Sequence, residues 1–105
     1  MTRIATEDPD VVHDTEKRRY EVWSDGQSVG WLTYWIDSES VVLEHVEVAK
    51  QFEGRGLGSR LTKAVLDDMR LRHKTVRPRC PFVVAYISRH PEYEDLVTRA
   101  SRPIP

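Results

Sequence analysis

The chain lacks the residues for a disulfide or a zinc knuckle, and the apolar length for a membrane span. Its 105 residues contain one cysteine, Cys80, so no intrachain disulfide can form and no cysteine pair can chelate zinc. A reducing, cytoplasmic setting without a bound metal is the expectation. No apolar run approaches the ~20 residues that cross a bilayer, and the stretch from Met1 to Asp8 has no apolar core of a secretory leader. Charge of one sign is missing too. With 16 basic and 17 acidic residues the formal net charge is −1, which offers no general attraction to nucleic acid or to an anionic membrane.

What is present is an ordinary globular balance of 39% hydrophobic and 31% charged residues, enough for one small core. The polar start ending in Asp8-Pro9-Asp10 and the proline-rich end from Ser101 to Pro105 are expected to fray. That leaves residues 1–10 and 100–105 as flexible ends around a single compact domain over 11–99. No repeat, low-complexity tract or linker interrupts it.

Alternation in Tyr20-Glu21-Val22-Trp23, the turn signal Asp25-Gly26 and the β-branched and aromatic run from Val29 to Ile36 predict a β-hairpin. In its second strand Val29, Trp31, Thr33 and Trp35 share one face and Leu32, Tyr34 and Ile36 the other, so both faces are expected to be covered, as in a central strand. A third antiparallel strand follows from Val41 to Val48, with Val41, Leu43, His45 and Glu47 placed together on one face by strict alternation. Leu57, Leu61, Ala64, Val65 and Met69 then recur at helical spacing, predicting a helix that stops near His73-Lys74. Lys74 to Cys80 reads as a strand made irregular by Pro78. Pro81 suits the first turn of a second helix through Ile87, broken at His90-Pro91 and followed by a short helical segment from Glu92 to Arg99.

Between strand and helix lies Gln51-Phe52-Glu53-Gly54-Arg55-Gly56-Leu57-Gly58. Glycines there let the main chain approach an anion, and the first amides of the following helix point at it with the positive end of the helix dipole. A diphosphate is the natural occupant. The spacing does not match a P-loop, where a lysine should follow the last glycine, and glycines at 54, 56 and 58 do not match a dinucleotide fingerprint.

The pattern Gln51-x-x-Gly54-x-Gly56 resembles the Q/R-x-x-G-x-G/A signature of the Gcn5-related N-acetyltransferases. The likeness extends from about Arg18 to Val97, through His45-Val46-Glu47-Val48 and Cys80 to Ile87. It implies an α+β (α/β-type) fold: a mostly antiparallel, mixed sheet with helices packed on it. It also implies acetyl-CoA or another acyl-CoA as co-substrate. The pyrophosphate would lie on the amides of Glu53, Gly54, Arg55, Gly56, Leu57, Gly58 and Ser59 after Gln51, and the pantetheine along the Val46 to Val48 edge. In this family that strand and the next splay apart to admit the thioester.

The implied reaction is attack of an amine on the thioester, which needs a proton acceptor and a donor to the oxyanion. His45 and Glu47 stand just before the loop and are candidate acceptors, with a main-chain amide near Val48 for the oxyanion. Cys80 at a helix start is a candidate covalent acyl carrier. Tyr86 matches the place where family members carry a tyrosine that protonates the departing sulfur. Arg89 and His90 are candidates for the adenine or the 3′-phosphate. Each has a plainer reading as a packed or solvated side chain, and Trp23, Trp31 and Trp35 read as core or dimer contacts. The acceptor is a small-molecule or protein amine, and the protein a monomer or homodimer. Two alternatives are a CoA-binding module with little catalysis, working through a protein partner, and a nucleic-acid binder using Arg70, Arg72, His73, Lys74, Arg77 and Arg79. The balanced charge argues against the second.

Overall fold

A computed structural model describes residues 3–98. Six strands form one sheet in chain order: β1 (Arg3–Ala5), β2 (Val11–Asp14), β3 (Arg19–Ser24), β4 (Gln27–Asp37), β5 (Ser40–Val48) and β6 (Thr75–Pro78). The first five pair antiparallel, β5 and β6 pair parallel, and Val97 makes an isolated parallel bridge to Val76. A parallel neighbour requires a crossover, and helix α1 (Leu57–Leu71) supplies it. Helix α2 (Pro81–Arg89) follows β6 with Pro81 in its first turn. A 3₁₀ turn (Pro91–Leu96) comes next, covering most of the short helical segment anticipated there; Arg99 and the tail 100–105 lie outside the described residues. The mixed sheet with helices packed on it is the fold class anticipated from sequence.

The β3–β4 hairpin closes on Asp25 and Gly26, both at positive φ (51° and 76°), as the twist of a two-residue turn demands. β4 is interior, with β3 on one side and β5 on the other. Its faces, however, are unequally covered. Leu32 is buried, whereas Trp35 and Ile36 remain exposed, because both helices pack on one side of the sheet. Leu61, Ala64, Val65, Leu66 and Met69 of α1 and Val83, Tyr86 and Ile87 of α2 share one cluster with Val11, Tyr20, Val22, Leu32 and Leu43. The opposite face carries Trp23, Trp31 and Trp35 and has no helix over it among the described residues.

Val29, expected on one face with Trp31, Thr33 and Trp35, packs instead in the core, because the register shift between Val22 and Trp23 makes it an extra residue in β4. Two further sequence expectations need correction. Residues 3–5, placed in a fraying end, pair with β2, and β2 itself was not foreseen. Second, His45 and Glu47 do not share a face with Val41 and Leu43. Thr33 pairs with His45 but Tyr34 pairs with Leu43, so Glu44 is an extra residue in β5. Such a bulge shifts the alternation by one. Leu43, Val46 and Val48 consequently turn to the helices, and His45 and Glu47 turn to the open face.

A polar cluster is buried between sheet and α1. The Tyr20 hydroxyl donates to the Asp68 carboxylate, which also receives Arg72 at 2.9 Å. His13 stacks on Tyr20 with centroids 4.2 Å apart and hydrogen-bonds the Tyr34 hydroxyl at 2.6 Å. Burial, and then the hydrogen bond to Asp68, push the Tyr20 phenol far above its ordinary range. Burial and then Arg72 hold the His13 imidazole below its own.

Candidate functional site

β5 is flanked on both sides only as far as Leu43. Its register with β6 runs from Ser40 opposite Thr75 to Leu43 opposite Pro78 and stops there. Pro78 has no amide proton to extend the ladder, and the chain turns away into α2 while the amides of Arg79 and Cys80 both donate to the Leu43 carbonyl, at 2.9 and 3.2 Å. From Glu44 to Val48, β5 pairs with β4 alone among the described residues. A fork opens at Leu43, with this free edge as one wall and the start of α2 as the other. The Ala49 amide donates to Val29 on β4 at 2.7 Å, and because amides alternate along a strand, that of Val48 turns into the fork.

Beyond Val48, a 3₁₀ turn (Lys50–Phe52) buries Phe52 and leads into the glycine loop. Gly54 and Gly56 stand at φ of +79° and +74°, with no heavy atom within 4 Å of where a Cβ would project. Their lack of a side chain therefore serves the left-handed backbone and leaves open space above it. Gly56 caps α1 without a side-chain hydrogen bond, and the first turn contains no acidic residue. Arg60 N–H donating to the Gly56 carbonyl is the first bond into the helix. The Glu53 amide, expected to face the anion, is spent on the Lys50 carbonyl at 3.2 Å, whereas among the described residues the amides of Gly54 and of residues 56–59 donate to no main-chain carbonyl. Unspent amides at the positive end of a 15-residue helix form an anion nest. Arg55 lies over the Phe52 ring at 4.9 Å and adds a cation at the rim.

Gly58 has a different reason. A Cβ there would come within 3.0 Å of the Phe82 ring, so glycine allows α2 to approach the loop, and Phe82, 39% exposed, lines it. Arg60 leaves the loop in the other direction. Its guanidinium donates twice to Asp8, at 2.7 Å each, and once to Asp10 at 2.8 Å, fastening the β1–β2 connection to the first turn of α1. Burial pulls the Asp8 carboxyl upward, but hydrogen bonds from Arg60 and the Asp10 amide more than offset it and hold the group below its ordinary value.

The fold brings together most of the residues singled out in the sequence. Gln51, Glu53, Gly54, Arg55, Gly56, Leu57, Gly58 and Ser59 form one continuous turn into α1. Val46 and Val48 pack their side chains on the core and offer main chain to the fork. His45 and Glu47 lie exposed on the open face beside it, with Nε2 and Oε1 3.4 Å apart. Cys80 is at the fork but only 5% exposed, as part of the core. Arg89, seven residues after Phe82, lies on the same side of α2 as that ring and is exposed. Tyr86 is placed elsewhere. Its ring stacks on His90 at 4.0 Å and lies 6.2 Å from Tyr93, turned into the seam with α1. Burial raises its phenol, partly countered by Lys63. Sequence reasoning missed Phe82 and the Asp8–Asp10 clasp of Arg60. The unusual glycine at 58 was the available sign of the first, and nothing local announced the second.

A bulged strand, a glycine turn into a bare helix terminus and a parallel neighbour that parts from the strand together define an α+β protein with a slot beside a glycine-lined helix start. The chain belongs to the GCN5-related N-acetyl-transferase family, whose model matches residues 19–96. It is 28% identical to Protein NATD1 of Xenopus tropicalis over 83 residues, covering 77% of this chain and 76% of that protein. The mouse protein of the same name matches to the same extent. In fold, it resembles a GCN5-like protein of Staphylococcus aureus, with a TM-score of 0.61 at 22% identity, over 77% of this chain and 81% of the other. It also resembles the ribosomal-protein-S18-alanine N-acetyltransferase of Escherichia coli, with a TM-score of 0.58 at 14% identity, over 70% of this chain and 52% of that enzyme.

Proposed function

We propose that this chain is a cytoplasmic N-acyltransferase that moves an acetyl, or another acyl, group from its CoA thioester to an amine. The observation that carries the reading is the set of unspent amides at Gly54 and over residues 56–59, at a helix terminus free of acid, opening onto the fork beside β5. The diphosphate of acyl-CoA fits that nest, with Arg55 and Arg89 available to its outer phosphates, and the pantetheine fits the unpaired edge of Val46 to Val48. The thioester would then rest against the Val48 amide, beside Glu47.

Direct attack is favoured over a relay through Cys80, whose thiol is packed in the core. The amine nitrogen bonds to the thioester carbon, the carbon–sulfur bond breaks, and the nitrogen's surplus proton passes to Glu47, alone or through His45 or a water. The Val48 amide is aimed to donate to the oxygen as it becomes negative, and the proton then serves the departing thiolate. One observation favours a second reading, a CoA-binding module acting through a protein partner: Tyr86, which the family likeness puts at the departing sulfur, packs on His90 in the α1–α2 seam.

Calorimetry with CoA and acetyl-CoA, joined to thiol release over a panel of amines, separates these. The transferase reading expects binding of both and turnover that falls in Glu47→Gln but survives in Cys80→Ala. Binding without turnover on any amine selects the module, and no binding removes both.

A further inference from the structure

On the open face, the strands that flank the fork present indole rings interleaved with carboxylates. Trp31 on β4 is opposite Glu47 on β5, and Thr33 is opposite His45. The Trp35 indole N–H donates to the Glu44 carboxylate at 2.6 Å. Glu44 is the bulged residue, so the feature that opens the fork also places a carboxylate at its vertex. Flanking cations are largely committed. Arg19 sits over the Trp31 ring at 5.0 Å, but its charge is met by Glu21 at 2.7 Å, and Arg77 is paired with Asp37 at 3.4 Å. Glu44 and Glu47 thus stand on the open face beside the fork with His45 between them.

A neutral monoamine makes poor use of such a surface. An ammonium group is drawn both to an indole face and to a carboxylate. Resting on the transferase reading above, we propose that the acceptor carries a second positive charge, which the Trp35–Glu44 pair holds while the reacting amine lies at the fork beside Glu47. At a strand rise of ~3.3 Å per residue, Glu44 and Glu47 are roughly 7–10 Å apart. That is the reach of a short aliphatic diamine or of neighbouring lysines in a peptide, two sources of the same chemistry.

The test follows thiol release at saturating acetyl-CoA with pentane-1,5-diamine against pentylamine, and with a peptide holding two adjacent lysines against one holding a single lysine. The dicationic member of a pair should be favoured about tenfold in kcat/KM, through KM, because exposed cation–π and ion-pair contacts are individually weak. Preference confined to the diamine identifies a small-molecule acceptor, and preference confined to the dilysine a peptide. Glu44→Gln and Trp35→Leu should bring the preference down to about twofold while the heat of CoA binding stays unchanged. Equal kcat/KM within both pairs, with CoA binding intact, overturns the proposal and leaves the transferase reading standing. If no amine turns over, or CoA does not bind, the indole N–H signals of Trp31 and Trp35 decide. They should move at lower diamine than pentylamine concentration, and equal responses overturn the proposal.

Discussion

The two halves of β5 make an instructive pair. From Ser40 to Leu43 the strand is held on both edges, by β4 and by β6, and Val41, Val42 and Leu43 are all buried. From Glu44 to Val48 it keeps one neighbour, alternates between core and open face, and leaves an edge unpaired. One extra residue, Glu44, and one proline, Pro78 on the neighbouring strand, separate the regimes. A free edge beside a glycine loop costs a sheet some stability and gives an extended ligand main chain to lie along, so the first half is structural and the second is the half that the proposed function uses.

That division can be broken by mutation. Leu43→Ala, which empties a fully buried position, should lower the unfolding free energy by about 3 kcal/mol in chemical denaturation. Glu47→Gln in the second half should leave stability within ~0.5 kcal/mol yet reduce kcat about a hundredfold if the carboxylate accepts the amine's proton. A large stability loss in Glu47→Gln would erase the distinction. Gly56→Val forces a β-branched residue to positive φ and should cost about 1–2 kcal/mol of stability. Its CoA affinity should fall more than about tenfold as the nest is distorted, as read by calorimetry.

Smaller effects sharpen the picture away from the fork. His13 has its folded pKa below the ordinary 6.5, so the unfolded chain binds the proton more readily. Stability should therefore be full above pH 6.5, decline as pH falls through the lowered folded value, and level off beneath it. His13→Phe, which keeps a ring on Tyr20, should flatten that decline in denaturation profiles taken across the window. The Asp8 carboxyl has the opposite chemistry and the same sign. Its contribution is present above its ordinary 3.8 and is lost as pH falls through the lower folded value. Arg60→Ala should remove it, at a cost below about 1 kcal/mol because the pair is largely exposed.

The legible parts of the molecule were those written in long periodic stretches or in backbone chemistry. The apolar spacing of Leu57 to Met69 located α1 to within two residues, and Asp25-Gly26 fixed the hairpin turn. Gly54 and Gly56 marked the loop because no other residue adopts its conformation so freely. What escaped was short or depended on distant partners. β1 and β2 are three and four residues long, too short for a periodic signal, and β1 falls in the polar stretch that reads as a frayed end. The bulge at Glu44 leaves no local sign, since a one-residue excess exists only relative to β4, yet it reverses the face on which His45 and Glu47 stand. Tyr86 occupies the anticipated turn of α2, but its direction is set by packing against His90 and Tyr93, which spacing alone does not reveal.

The central claim concerns amides, and amide-resolved NMR reads it directly. Titration of CoA into the labelled protein should shift the signals of residues 53–59 and of Val46 and Val48, leaving those of Val41 to Leu43 in place. Saturating CoA that left the loop amides unmoved, or that moved only residues remote from the fork, would contradict it.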